Sequence, residues 1–214
     1  MEGTLAKSEI AAVYTAKAPV YDLWATFTES RARRRALALA DVHDGETVLE
    51  VAVGTGLLFA ELLAQNPHGR TEGIDLTEAM LERARAKAVR TGATTWRLRV
   101  GDAYRLDFAD ATFDLVLNAY MFDLLPEADF PRVLAELYRV LRPGGRLVLV
   151  NMARATHVGY RLWERVYRWR PGWVGGCRGV EVAGPARAAG FRIVTTEHVS
   201  QLGFPSEVLG AAKG

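Results

Sequence analysis

Two glycines and two acids are the first residues in this chain whose types and spacing could do chemistry. Gly54 and Gly56 follow an aliphatic run, Val48-Leu-Glu-Val-Ala-Val53, and precede Leu57-Leu-Phe-Ala-Glu-Leu-Leu63. The first run suits a buried parallel strand and the second a helix. A strand, a glycine turn and a helix aim free backbone N–H groups at one point, where the helix N-terminus adds partial positive charge. An anion, or the carboxylate of a small ligand, fits there. Glu50 lies four residues before Gly54, and Asp75 closes a second strand-like run 19 residues after Gly56. In a doubly wound sheet such an acid lies beside the glycine turn and grips ribose hydroxyls, which makes the ligand a nucleoside. A dinucleotide fingerprint needs a third glycine where Phe59 stands, and no Gly-Lys-Ser/Thr follows, so neither that fingerprint nor a phosphate-cradling loop fits.

The elements that must position these residues alternate strand and helix. Thr77 is placed as the N-cap of a helix over 78–88, Trp96–Val100 alternates as a third strand, and Phe113–Asn118 is a fourth. Residues 129–142 carry Phe130, Val133, Leu134, Leu137, Val140 and Leu141 at helical spacing, and Arg142-Pro-Gly-Gly145 ends that helix before a fifth strand, Arg146–Val150. Gly190–Thr196 and Glu197–Leu202 are predicted as the last two strands, with Gly210–Gly214 a frayed tail. Upstream, helices are predicted over about 8–28, broken at Pro19, and over 31–42, where Arg31, Arg33, Arg34 and Arg35 cluster.

Taken together, Glu50-x-Ala52-x-Gly54-x-Gly56, then Gly73-Ile-Asp75, then Gly101-Asp102-Ala103 resembles the class I S-adenosylmethionine-dependent methyltransferases over residues 47–151. Ala52 departs from the family's usual glycine. The resemblance implies an α/β, Rossmann-like, doubly wound, seven-stranded and mostly parallel sheet with helices on both faces. S-adenosyl-L-methionine is the implied cofactor and S-adenosyl-L-homocysteine the product. Leu76 and Met80 should flank the adenine ring, and Asp102 and Ala103 should meet its edge. Asn118, Tyr120, Met121 and Asp123 should border the transferred methyl group, with Asn118 among the cofactor contacts. The text Tyr14-Thr-Ala-Lys-Ala-Pro-Val-Tyr-Asp22 looks like the N-terminal lid of the ubiquinone/menaquinone C-methyltransferases, which sets Tyr21 over the methionine end. Phospholipid N-methyltransferases share this layout. Arsenite methyltransferases need several cysteines, and Cys177 stands alone.

The 214 residues suit one domain: an N-terminal helical lid (1–42), a cofactor-binding core (43–151), a substrate-lid insertion (152–180) and C-terminal strands (181–214). The longest run free of Asp, Glu, Lys and Arg is ten residues, 51–60, so no membrane span is expected. With no secretory pattern and one cysteine, the expected setting is cytoplasmic, or peripheral at a membrane. Net charge is +2, which does not call for nucleic acid. From Arg154 to Arg178 there are six arginines, one acid (Glu164) and three tryptophans (Trp163, Trp169, Trp173). A helix there would be aromatic on one face and basic on another, as either a lid over a small-molecule or lipid-like substrate or a membrane-contacting element. The order of the prolines and aromatics usual for nucleic-acid amine methylation is absent after Asn118.

No cluster suggests a metal. A general base is needed only for a nucleophile that arrives protonated. His157, Tyr120, Asp123 and Tyr160 are the candidates, and none is singled out. The alternatives are a methyltransferase of water-soluble small molecules and a non-catalytic binder of S-adenosylmethionine. Methyl acceptor and oligomeric state are not legible in the sequence.

Overall fold

The computed structural model describes residues 22, 25–154 and 177–214. Seven strands form one sheet: β1 Thr47–Val51, β2 Arg70–Asp75, β3 Trp96–Val100, β4 Phe113–Ala119, β5 Leu141–Met152, β6 Phe191–Gln201 and β7 Phe204–Lys213. Their order is β3-β2-β1-β4-β5-β7-β6. The first five are parallel, and β7 enters antiparallel between β5 and β6. The helices are α1 Ser30–Ala40, α2 Leu57–Gln65, α3 Glu78–Arg90, α4 Phe130–Val140 and α5 Ala183–Ala188.

Strand alternation sorts the helices between two faces. Leu49 and Val51 of β1 and Leu147 and Leu149 of β5 pack with Phe130, Val133, Leu134 and Leu137 of α4 and Ala186 of α5. Val48, Val148 and Val150 point the other way, onto Ala36 of α1 and Leu58 and Leu62 of α2. Phe59 and Leu63 of α2 meet Leu81, Ala84 and Ala88 of α3. The doubly wound, mostly parallel sheet expected from the sequence is the one observed.

Two local expectations change. Gly190–Thr196 and Glu197–Leu202 are not separate strands: residues 191–201 form the single strand β6. Leu202 and Gly203, with φ of 50° and 80°, make the two-residue turn into β7. Residues 210–213 do not fray. Val208 and Leu209 are fully buried, and the Lys213 ammonium donates to the carbonyls of Tyr138 and Leu141 at 2.7 Å each. At the head of β5, the register steps from Phe113↔Leu141 to Leu115↔Arg146, so Arg142–Gly145 loop out of the strand where the turn was expected.

Candidate active site

Strands β1, β2 and β4 end at a common edge, with Val51 opposite both Ile74 and Asn118. A cleft of about 880 Å³ opens there, lined in part by Gly54, Asp75, Leu76, Met80, Asp102 and Ala103. The chain leaves β1 through three positive φ angles: 58° at Ala52, 56° at Gly54 and 83° at Gly56. A Cβ on Gly56 would lie 2.6 Å from Ala84 Cα, so only glycine lets α2 start this close to α3. A Cβ on Gly54 would meet nothing within 4 Å, and Gly54 itself lines the cleft.

Asp75 is 8% exposed and holds this loop. Its Oδ2 accepts from the Gly54 N–H at 2.8 Å. Oδ1 accepts from the Thr77 N–H at 2.9 Å and hydroxyl at 3.1 Å. Thr77 therefore precedes α3 as expected, but its hydroxyl turns to Asp75 instead of capping the helix. Burial raises the Asp75 carboxyl above its ordinary range, and the N–H groups of Thr77 and Gly54 oppose this. A carboxylate offers about four lone-pair positions, and these three bonds leave one, on Oδ2, for a ligand hydroxyl.

A second cleft of about 480 Å³ shares Ala52, Gly54, Ala119 and Tyr120 with the first and is lined also by Glu29, Arg33, Glu50 and Thr55. Glu50 borders this second cleft and not the first. It is 2% exposed, and its Oε2 has no hydrogen-bond partner among the described residues. Burial, then the charge of Asp75, pushes its carboxyl well above the ordinary range. Arg33 is steadied by Glu61, which accepts from Nε at 2.9 Å.

Asn118 lines neither cleft. It is fully buried, and its amide donates to the Val51 carbonyl at 2.7 Å, which ties β4 to β1 at the site's edge. Gly56 shapes the turn without lining a cleft. Tyr21, His157 and Tyr160 lie outside the described residues. Tyr120 lines both clefts, while Asp123 lies fully buried outside their linings.

Several contacts at this edge were not legible in the sequence. Asp22 accepts from the Thr55 hydroxyl and pairs with Lys87 at 2.7 Å; Lys87 also donates to the Thr55 carbonyl at 2.8 Å. Asp22 is thereby fastened to the glycine turn and to α3. Arg178, 2% exposed, donates to Glu127 at 2.9 Å and to the Leu125 carbonyl, and Arg154 donates to the same Glu127 oxygen at 2.8 Å. Two of the six arginines that had read as a basic lid are thus committed to holding the turn after β4.

A methyltransferase domain model matches residues 48–145. Demethylmenaquinone methyltransferase of Thermus thermophilus is 38% identical over 154 residues, which cover 70% of this chain and 69% of that protein. The chain belongs to the S-adenosylmethionine-dependent methyltransferases. The demethylmenaquinone methyltransferase of Deinococcus radiodurans is 45% identical over 121 residues, 56% of this chain and 48% of that one. Phosphatidylethanolamine N-methyltransferase of Cereibacter sphaeroides is 39% identical over 136 residues, 62% of this chain and 63% of that one. The matched stretch thus spans about half to two thirds of the length of these relatives. Among solved structures, the [4+2]-cyclase SpnF superposes with a TM-score of 0.78 at 18% identity, over 96% of this chain and 95% of that one. A Burkholderia thailandensis 1,6-didemethyltoxoflavin-N1-methyltransferase with bound S-adenosylhomocysteine gives 0.72 at 23% identity, over 98% and 91%. These two likenesses carry the methyltransferase fold alone. No helix among the described residues is long and apolar enough to cross a membrane.

Proposed function

We propose that this chain transfers a methyl group from S-adenosylmethionine to a lipid-like acceptor, a phospholipid amine or an isoprenoid quinone. What carries the proposal is the joint likeness to demethylmenaquinone and phosphatidylethanolamine methyltransferases, together with a cleft built around Gly54 and Asp75. The residues fit the cofactor. Asp75 takes a ribose hydroxyl, Leu76 and Met80 the adenine faces, and Asp102 and Ala103 the adenine edge, all from the first cleft. The amino-acid end lies in the second cleft, where the unpartnered Oε2 of Glu50 accepts from the ammonium and Arg33 faces the carboxylate. Ala52 and Gly54 border both clefts, at the bend between the two ends.

When bound, S-adenosylmethionine supplies an electrophilic methyl group on a sulfonium. The chain supplies position: the acceptor atom is held in line at about 3 Å and water is kept out. The N-terminal segment (1–42) and the insertion over 152–180 act as lids on a single domain. The insertion's aromatic and basic residues meet an amphiphilic acceptor or the membrane surface that holds it.

The test is incubation with S-adenosylmethionine labelled in its methyl group and a whole-cell extract, followed by partition between organic solvent and water. Label is expected in the organic phase. Label confined to the aqueous phase would replace the lipid-like acceptor with a water-soluble one.

A further inference from the structure

Leucine is an odd residue at position 202. The turn from β6 into β7 has positive φ at both of its residues, 50° at Leu202 and 80° at Gly203. Asparagine or glycine takes such angles cheaply, and a leucine does not. Leu202 is also 79% exposed, so it serves neither the turn nor the core. Phe27, in the helical turn ahead of α1, is 55% exposed. The Gln201 side chain ties the two places together: its Nε2 donates to the Phe27 carbonyl at 2.7 Å, and its Oε1 accepts from the Arg31 N–H at 2.8 Å. The hairpin tip and the start of α1 thus present two apolar side chains from one braced unit.

Cations flank them. Helical bonds run on through Glu29: its N–H donates to the Ala25 carbonyl and its carbonyl accepts from the Arg33 N–H, both at 2.9 Å. Phe27, Arg31 and Arg34 therefore follow one another at helical spacing, and all three are exposed. Arg33 is paired with Glu61 and Arg35 with Glu197, whereas Arg31 and Arg34 make no side-chain ion pair among the described residues. Strand β6 runs in the same direction as β4 and β5, through the antiparallel β7, so its end at Gln201 lies at the edge where the clefts open. Ala25 and Glu29 line the second cleft, and Phe27 between them is turned to solvent.

We propose that Phe27 and Leu202, with Arg31 and Arg34, form a docking surface for an anionic phospholipid bilayer. This rests on the lipid-like-acceptor reading above and names the surface from which such an acceptor reaches the site. The two apolar side chains enter the boundary between headgroups and acyl chains, which removes them from water. The two guanidiniums meet lipid phosphates, for which their planar donors are well matched. Docked in this way, the edge that carries the clefts faces the bilayer, so the acceptor does not have to cross water. Charge selects the occupant. A two-fold contact between copies of this chain would lay the patch against itself and set cation against cation.

The test is co-sedimentation of the full chain with vesicles of equal parts phosphatidylcholine and phosphatidylglycerol, and with vesicles of phosphatidylcholine alone, at low and high salt. Binding is expected to the anionic vesicles and to weaken as salt screens the arginines. Leu202→Asn suits the positive φ, so its Tm should hold or rise while vesicle affinity falls about tenfold. Arg31→Ala with Arg34→Ala should lower that affinity at least about tenfold. S-adenosylhomocysteine affinity should stay within about threefold in both proteins, which confirms that they fold. No binding of the wild type to anionic vesicles overturns the docking surface, as does equal binding by the wild type and both variants. Equal binding to phosphatidylcholine alone overturns its recognition of charge. A wild-type dimer that Leu202→Asn dissociates makes the patch a contact between copies and overturns it too. Vesicle binding that follows these expectations, with methyl label confined to the aqueous phase, keeps the docking surface and overturns the lipid-like acceptor.

Discussion

Gly54 and Gly56 are two residues apart in one turn, and the structure predicts opposite consequences for substituting them. Both have positive φ, 56° and 83°, so alanine at either costs about 1–2 kcal/mol of backbone strain. Alanine also restricts the unfolded chain, which returns about 0.4–1 kcal/mol. At Gly54 nothing lies within 4 Å of the new methyl group, so strain is the whole stability effect. Gly54→Ala should therefore cost about 1 kcal/mol, or a Tm drop of ~2–4 °C for a chain of this size. At Gly56 the new Cβ would fall 2.6 Å from Ala84 Cα and 2.7 Å from its Cβ. Both are far inside the optimal carbon separation of about 3.5–4.0 Å. Forcing α2 from α3 adds about 1–3 kcal/mol, typical of overpacking. Gly56→Ala should then cost about 2–4 kcal/mol and lower Tm by ~4–16 °C. Binding reverses the emphasis. Gly54 lines the cleft, so with a methyl group there S-adenosylhomocysteine affinity should fall at least about tenfold in a protein that melts almost normally. Thermal melts and calorimetric titrations of the two variants decide it. Wild-type affinity in Gly54→Ala, or a Tm loss in it equal to that of Gly56→Ala, would refute the placement of the ligand against this turn.

Three further outcomes follow from the same geometry. Ala52, at φ 58°, stands in strain that glycine would not feel, so Ala52→Gly should raise stability by up to about 1 kcal/mol, seen as a Tm gain of a few degrees. Burial, then the charge of Asp123, lifts the Glu29 carboxyl from 4.5 to about 8, with Arg33 opposing. The fold favours its protonated form, so this stability is complete below pH 4.5 and is lost as pH rises through about 8. The ligand-free protein should accordingly melt lower at pH 8 than at pH 5, by an amount that shrinks in Glu29→Gln. Arg178→Ala removes two charge-assisted hydrogen bonds from a buried position, at a cost of about 3 kcal/mol or more and a Tm drop of ~6–12 °C. Arg178→Lys should not restore it, because one ammonium cannot span both Glu127 and the Leu125 carbonyl.

What the sequence disclosed was local. The glycine turn after β1, the acid closing β2 and the apolar stripe of α4 each have a short-range pattern with one physical cause, and the fold followed from their order. Strand β7 was missed because Pro205 lies within it and because its turn is Leu202-Gly203, not an Asn-Gly or Asp-Gly pair. Periodicity placed Glu50 and Asn118 at strand ends, but only the packed sheet shows Glu50 facing the second cleft and Asn118 turned into the Val51 carbonyl. Glu29 gave no signal, Asp123 was read only as a candidate base after β4, and Arg178 only as one of six arginines in a basic stretch. Their roles depend on α1, the turn after β4 and the return from the insertion meeting at one edge, separations of about a hundred residues or more end to end.

The most direct measurement is calorimetric titration of S-adenosylhomocysteine into the wild-type protein and into Asp75→Ala, with a melt of each to confirm folding. The account predicts saturable binding to the wild type and at least about a tenfold loss in the variant, equivalent to about 1.4 kcal/mol, for a carboxylate that grips the ribose. Equal affinity in the two proteins would contradict it and move the cofactor away from the glycine turn.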